Sequence, residues 1–180
     1  YRAMDVWDGE GTGQIRFDCT ELHEPCLGHI VENRVTQSAL SQQVAGQKNV
    51  EFSTGVEITE LSEADADSQR LLTLSNGEQL HVRCVVAADG ALSNTRRLAG
   101  IGMWEWDYGH HALVATVKTE QPHQDTAWQR FTSDGPLAFL PLSDPYTSSI
   151  VFSTSPGHAK ALMALDDVDF NKALSREFEQ

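Results

Sequence analysis

The chain has 180 residues, and its 26 Asp and Glu against 13 Lys and Arg give a formal net charge of -13 at pH 7. That balance excludes a surface built for nucleic acid, which needs clustered Lys and Arg against phosphate, and it argues against electrostatic anchoring to a membrane. Apolar residues make up 40%, enough for a core in one large or two small domains, but no run reaches the roughly 20 apolar residues of a membrane span.

No signal peptide is visible. Cys19, Cys26 and Cys84 are an odd, scattered set without a C-x-x-C, which predicts free thiols in a reducing compartment. There is no initiator Met, and Phe170, Leu174 and Phe178 recur every four residues on a helical pattern that stops without a C-cap. These ends predict an excised piece of a longer protein.

In chain order, Ala3 to Trp7 and Gln14 to Asp18 read as the strands of a hairpin. The intervening Asp8-Gly9-Glu10-Gly11-Thr12-Gly13 lacks G-x-G-x-x-G spacing and a following helical run, so it reads as a hairpin turn rather than a phosphate loop. A helix is expected from about Asn33, its N-cap, to Ala45, with Val31, Val35, Ala39, Leu40 and Val44 as an apolar face. Strands follow at 50–52, 56–61, 71–74 and 79–86, the last two joined at Asn76-Gly77, a strong two-residue turn signal. Four more strands at hairpin-like spacing, 112–118, 127–132, 137–142 and 149–153, predict a mostly antiparallel sheet. Two helices, 158–165 and 168–179, close the chain.

The most informative stretch runs from Val85 to Arg97. Val85-Val86-Ala87-Ala88 reads as the end of a strand covered on both faces. Asp89-Gly90 stops it, and Ser93 is a fair N-cap for a short helix carrying Arg96 and Arg97. Ligands of open α/β sheets sit outside the carboxyl ends of strands. The plainer reading is a turn with a solvated Arg pair.

Several other groups have plain explanations. Adjacent His110 and His111 on a strand point to opposite faces, and neither they nor His123 has a completing ligand spacing, so no metal site is predicted. Trp104, Trp106 and Tyr108 read as packing residues, with an aromatic ligand-binding shelf as the alternative. Glu60, Glu63, Asp65 and Asp67 read as a solvated turn.

Asp89-Gly90-x-x-Ser93-x-x-Arg96 resembles the "DG" motif of single-component FAD-dependent aromatic hydroxylases. Three further blocks extend the likeness: 27–34 (LGHIVENR), 106–117 (WDYGHHALVATV) and 137–145 (LAFLPLSDP). Together they resemble the ubiquinone-biosynthesis hydroxylases, which act on 2-octaprenylphenol and related polyprenyl benzoquinols.

The resemblance implies a fold like that of para-hydroxybenzoate hydroxylase, mixing α/β and α+β. Residues 28–100 would form part of an FAD-binding α/β domain, 1–27 a hairpin and connection of the substrate domain, and 101–180 the substrate-binding sheet. It implies FAD and NAD(P)H as cofactors, molecular oxygen as co-substrate, and a flavin C4a-hydroperoxide as hydroxylating species, with no catalytic side chain required. Asp89, Gly90 and Arg96 would approach the FAD nucleotide, with Asn33 and Arg34 beside it at a helix N-terminus. Phe139, Leu140, Pro141 and Leu142 would wall the substrate cavity. Other ubiquinone-pathway proteins are implied as partners, and the site would be cytoplasmic and peripheral to the inner membrane.

The family's opening G-x-G-x-x-G and its later Gly-Asp-x-x-His segment are absent. This predicts a middle region that is inactive and weak in FAD binding when isolated. The alternatives are a non-catalytic interaction domain of the same fold and a hydroxylase for another aromatic substrate.

Overall fold

The structure, a computed structural model, describes residues 1–178. The elements in chain order are β1 (Ala3–Asp8), β2 (Gln14–Asp18), α1 (Asn33–Ala45), β3 (Ile58–Leu61), β4 (Arg70–Leu74), β5 (Gln79–Val82) and α2 (Asn94–Leu98). Then come β6 (His111–Lys118), β7 (Thr126–Thr132), β8 (Gly135–Pro141), β9 (Thr147–Thr154), α3 (Pro156–Met163) and α4 (Asp167–Phe178). The fold is α+β, with one mixed and one antiparallel sheet. The chain divides into two compact units, Tyr1–Gln37 with the chain from Asp107 onward, and Ser38–Trp106.

The first unit is built on a six-stranded sheet in the order β2-β1-β7-β8-β9-β6. The β1–β7 pair is parallel and every other pair antiparallel. The period of two in these strands sorts their side chains onto two faces. One face carries Leu113, Leu137, Phe139, Ile150 and Phe152, which pack with Leu162 of α3 and Leu174 of α4 as the core. The four-residue spacing on α4 serves this contact. Phe170 and Phe178 flank Leu174, and the Phe178 ring lies 4.1 Å from Phe139 and 5.2 Å from Trp7, centroid to centroid. Of the helix expected at 168–179, residue 179 lies outside the described residues.

Polar anchors hold the rim of this unit. Buried Arg130 donates from Nη1 to the Glu177 carbonyl at 2.7 Å and from Nη2 to the Gly9 carbonyl at 3.2 Å, joining α4 to the β1–β2 loop. Buried His123 accepts the Asp125 amide on Nδ1 at 3.1 Å. The proton therefore sits on Nε2, which faces the carbonyls of Leu142 and Asp144 at 3.0 and 3.1 Å. His123 is thus a loop clamp between two connections.

The second unit holds the antiparallel sheet β3-β4-β5, with buried Leu72 at its centre. The hairpin at Asn76-Gly77 is present, Leu74 and Gly77 closing the turn. Two expected strands are not. Residues 50–52 and 83–88 have no strand structure, and Val86 is exposed. A strand exists only where a neighbour takes its backbone hydrogen bonds. Among the described residues no strand lies beside either segment, so apolar character alone does not make them strands. Similarly, α1 buries none of its residues, and Val35 and Leu40 lie exposed.

Candidate functional site

The Asp89 corner belongs to the second unit. Asp89 Oδ1 accepts from the Ser93 hydroxyl, and Oδ2 accepts the Thr95 amide at 2.9 Å. Ser93 caps α2 as expected, its Oγ accepting the Arg96 amide at 2.9 Å. These donors, the Ser93 hydroxyl first and then the Thr95 amide, hold the Asp89 carboxyl well below the usual aspartate range. Asp89 is therefore a fixed anion that shapes the start of α2. Gly90 has φ +86, a conformation that L side chains resist, and a Cβ there would meet nothing within 4 Å. Backbone can thus be approached closely at Gly90. Arg96 Nε is buried with no hydrogen-bond partner, whereas Arg97 donates to Asn94 Oδ1.

Asn33 and Arg34 sit at the start of α1, but Glu32 rather than Asn33 holds the cap position. The Glu32 carbonyl accepts the Val35 and Thr36 amides at 3.0 and 3.3 Å, which makes Asn33 the first helical residue. Glu32 also grips Arg34 with both oxygens, Nε to Oε1 at 2.9 Å and Nη2 to Oε2 at 3.2 Å. That pair lowers the Glu32 pKa and raises that of Arg34. The first amides of an α-helix have no acceptor within it, so this end combines free donors with a cation held in place.

A depression of about 340 Å³ opens at this helix start. It is lined by residues 30–34 and by Thr116 of β6, Ser149 of β9 and Leu142 just beyond β8. The structure therefore brings Asn33, Arg34 and Leu142 together within the first unit. The other three residues expected as a wall divide. Phe139 faces the helices and packs on Phe178, and buried Pro141 shares its parity along β8. Leu140, paired with Ser149, is on the opposite face with Leu142. The four residues are thus not one wall, because adjacent strand positions point opposite ways. Thr116 and Ser149 escaped the sequence reading. Each is an ordinary polar member of an alternating strand, and only the β6–β9 register, which sets Thr116 against Ser149, assembles them.

A second depression, about 260 Å³, lies between the β1–β2 loop and the end of β7, lined by Asp8, Glu10, Phe131, Thr132 and Ser133. It contains none of the expected site residues. Trp104, Trp106 and Tyr108 are exposed.

No family model matches the chain. It is 36% identical over 178 residues to the 3-demethoxyubiquinol 3-hydroxylase of Escherichia coli K12, covering 99% of this chain and 44% of that protein. Over 99% of its length the chain is similar to hydroxylases named for ubiquinone biosynthesis. The mouse mitochondrial ubiquinone biosynthesis monooxygenase COQ6 is 38% identical over 186 residues, covering 99% of this chain and 38% of its own length. The chain thus spans less than half the length of these relatives.

Two solved structures share the fold. PqsL of Pseudomonas aeruginosa, described as a probable FAD-dependent monooxygenase, superposes with a TM-score of 0.76 at 20% identity, over 100% of this chain and 50% of its own. HpxO of Klebsiella pneumoniae, solved with FAD and uric acid, gives 0.68 at 21% identity, over 98% and 45%. These likenesses establish the architecture, and the corner at Asp89 and the depression at Asn33 are features of this chain's own residues.

Proposed function

We propose that the chain is the region of an FAD-dependent aromatic monooxygenase that supports the substrate and part of the flavin nucleotide. The full-length enzyme hydroxylates the ring of a polyprenyl phenol or benzoquinol in ubiquinone biosynthesis. The observation that carries this reading is the 36% identity to a ubiquinol hydroxylase across 99% of the chain. Residues 28–100 would belong to the FAD-binding domain, and 1–27 with 101–180 to the substrate domain.

The residues present fit a flavin nucleotide. Arg96 Nε is a buried donor with no acceptor, an arrangement that an anionic oxygen would satisfy. Gly90 leaves open space for close approach. In the other unit, and taken by itself, the start of α1 offers amide donors, the positive end of the helix dipole and the fixed cation of Arg34, which suit an anion. Asp89 serves by holding the α2 start in shape. When bound, FAD supplies the redox chemistry, with NAD(P)H as reductant and molecular oxygen as oxidant.

The chain's own residues position the ring and keep water from it. Leu140 and Leu142 offer an apolar surface, and the hydroxyls of Thr116 and Ser149 offer hydrogen bonds to a phenolic oxygen. No helix among the described residues is long and apolar enough to cross a membrane. We place the enzyme in the cytoplasm, peripheral to the inner membrane and working beside other ubiquinone-pathway proteins, because a polyprenyl substrate resides in lipid.

The test is an assay of a full-length protein containing this chain, with a 2-polyprenylphenol, NAD(P)H and heavy-isotope oxygen gas. Mass spectrometry should find one heavy oxygen atom in the ring of the product. Absence of labelled product together with absence of flavin binding would replace the enzyme with a non-catalytic interaction domain.

A further inference from the structure

One loop of the first unit gathers three side chains that the site above does not use: Cys19, Cys26 and His29. The chain's three cysteines are free thiols. Cys19 is fully buried, Cys26 half-buried, and Cys84, in the second unit, exposed. Cys26 Sγ lies 3.5 Å from Nε2 of the exposed His29. At that distance an imidazole can take the thiol's proton, and the thiolate is the reactive form of cysteine.

Cys19 approaches the same residue from the buried side. Its thiol donates to the Pro25 carbonyl at 3.7 Å. Pro25 and Cys26 share a peptide bond, so covalent geometry keeps Cys19 Sγ within about 6.5 Å of the Cys26 α-carbon. A local shift of the loop therefore brings the two sulfurs to bonding distance, about 2 Å. The loop is held on either side of Pro25 and Cys26, where the Glu24 amide donates to the Cys19 carbonyl at 3.0 Å and the Leu27 amide to the Tyr1 carbonyl at 2.9 Å. It then runs into residues 30–34, which line the depression.

We propose that Cys26 is an oxidant-reactive thiol, with His29 as its base and Cys19 as the partner that closes a reversible disulfide. The oxidant is hydrogen peroxide. His29 takes the Cys26 proton, the thiolate sulfur attacks one peroxide oxygen, and the O–O bond breaks. The departing hydroxide takes a proton to become water, which leaves Cys26 as a sulfenic acid. The Cys19 sulfur then attacks the Cys26 sulfur, the S–O bond breaks, and the second oxygen leaves as water with the Cys19 proton. Two thiols are oxidised to one disulfide, and one peroxide is reduced to two waters. Closing the bond pulls on the segment that carries Glu32 and Arg34. Disulfides of reducing compartments are transient and redox-sensing, which suits a pair found as free thiols. Oxygen that takes up two electrons without reaching a ring becomes peroxide, so the monooxygenase reading supplies a source. The thiol chemistry itself does not depend on that reading.

The test treats the full-length protein with hydrogen peroxide, alkylates the remaining thiols, cleaves the chain after Glu21, between the two cysteines, and weighs the peptides. The Cys19 and Cys26 peptides should be joined by a bond that dithiothreitol opens, while Cys84 remains alkylated. Cys84 is the more exposed thiol, so accessibility alone would oxidise it first. Oxidation of Cys84 ahead of Cys26, or of Cys26 without a bond to Cys19, overturns the proposal.

Two variants separate the roles. Cys19→Ser should leave a Cys26 sulfenic acid that dimedone traps. His29→Gln, at an exposed position, should slow the loss of the Cys26 thiol at least about tenfold. An unchanged rate in His29→Gln, or no trapped Cys26 in Cys19→Ser, contradicts the assignment. The peptide mapping needs neither a folded variant nor turnover. A protein that forms the bond but hydroxylates no ring would count against the monooxygenase reading alone.

Discussion

Asp134 shows how one carboxylate can hold the end of an element. It sits between β7 and β8, and its Oδ2 accepts from the Thr154 hydroxyl, from the Ser155 amide and hydroxyl at 3.3 and 3.2 Å, and from His158 Nδ1 at 2.8 Å. Ser155 precedes α3 but makes no side-chain cap of its own, so Asp134 supplies the anion at that helix start from another part of the chain. The Thr154 hydroxyl, followed by His158, lowers the Asp134 pKa to about 2. A depressed carboxylate stabilises the fold above the unfolded value near 4 and loses that contribution as pH falls toward about 2. Asp134→Asn should therefore flatten the acid dependence of the urea midpoint between about pH 4 and pH 2 relative to the unsubstituted chain. Parallel slopes in that window would contradict the role given to this carboxylate. Asp89 is also depressed, so the comparison of variants, and not the wild-type slope alone, isolates Asp134.

At the scale of elements, β9 is the spine of the first unit. Ile150, Phe152 and Thr154 face inward with at most 1% exposure, and β9 pairs with β8 on one side and β6 on the other. Phe152→Ala should cost about 3–5 kcal/mol of unfolding free energy, the range for truncating a fully buried aromatic. A loss below about 1 kcal/mol in chemical denaturation would mean that the sheet does not depend on this core. The β7–β8 turn is closely fitted as well. Gly135 has φ +142, and a Cβ there would collide with the Ser153 carbonyl oxygen.

The sheet strands and α4 were legible because each combines a clear period with a buried face. Leu113, Ile150, Phe152 and Leu174 declare themselves by spacing alone. Residues 50–52 and 83–88 misled for the converse reason, since their composition suits a strand while strand formation depends on a neighbour that a local pattern does not contain. The candidate site divides in the same way. The Asp89–Ser93–Arg96 corner is a contiguous motif and was readable. Thr116 and Ser149 come together only through strand register, and the pleat separates Phe139 from Leu140 although they adjoin in sequence.

For the whole molecule, the proposal makes the chain a working part of a larger flavoprotein. The first unit offers a sheet with one face closed by helices and the other bearing a depression. The second offers a fixed anion, an open glycine and a buried Arg96 Nε without a hydrogen-bond partner. Flavin binding is the claim on which the proposed chemistry depends. The most direct measurement is an FAD titration of a full-length protein containing this chain, followed by flavin fluorescence and absorbance, with Asp89→Ala titrated beside it. The account predicts one tightly held flavin per chain and a loss of affinity of about tenfold or more in the variant. A full-length protein that leaves the flavin free in solution would contradict it.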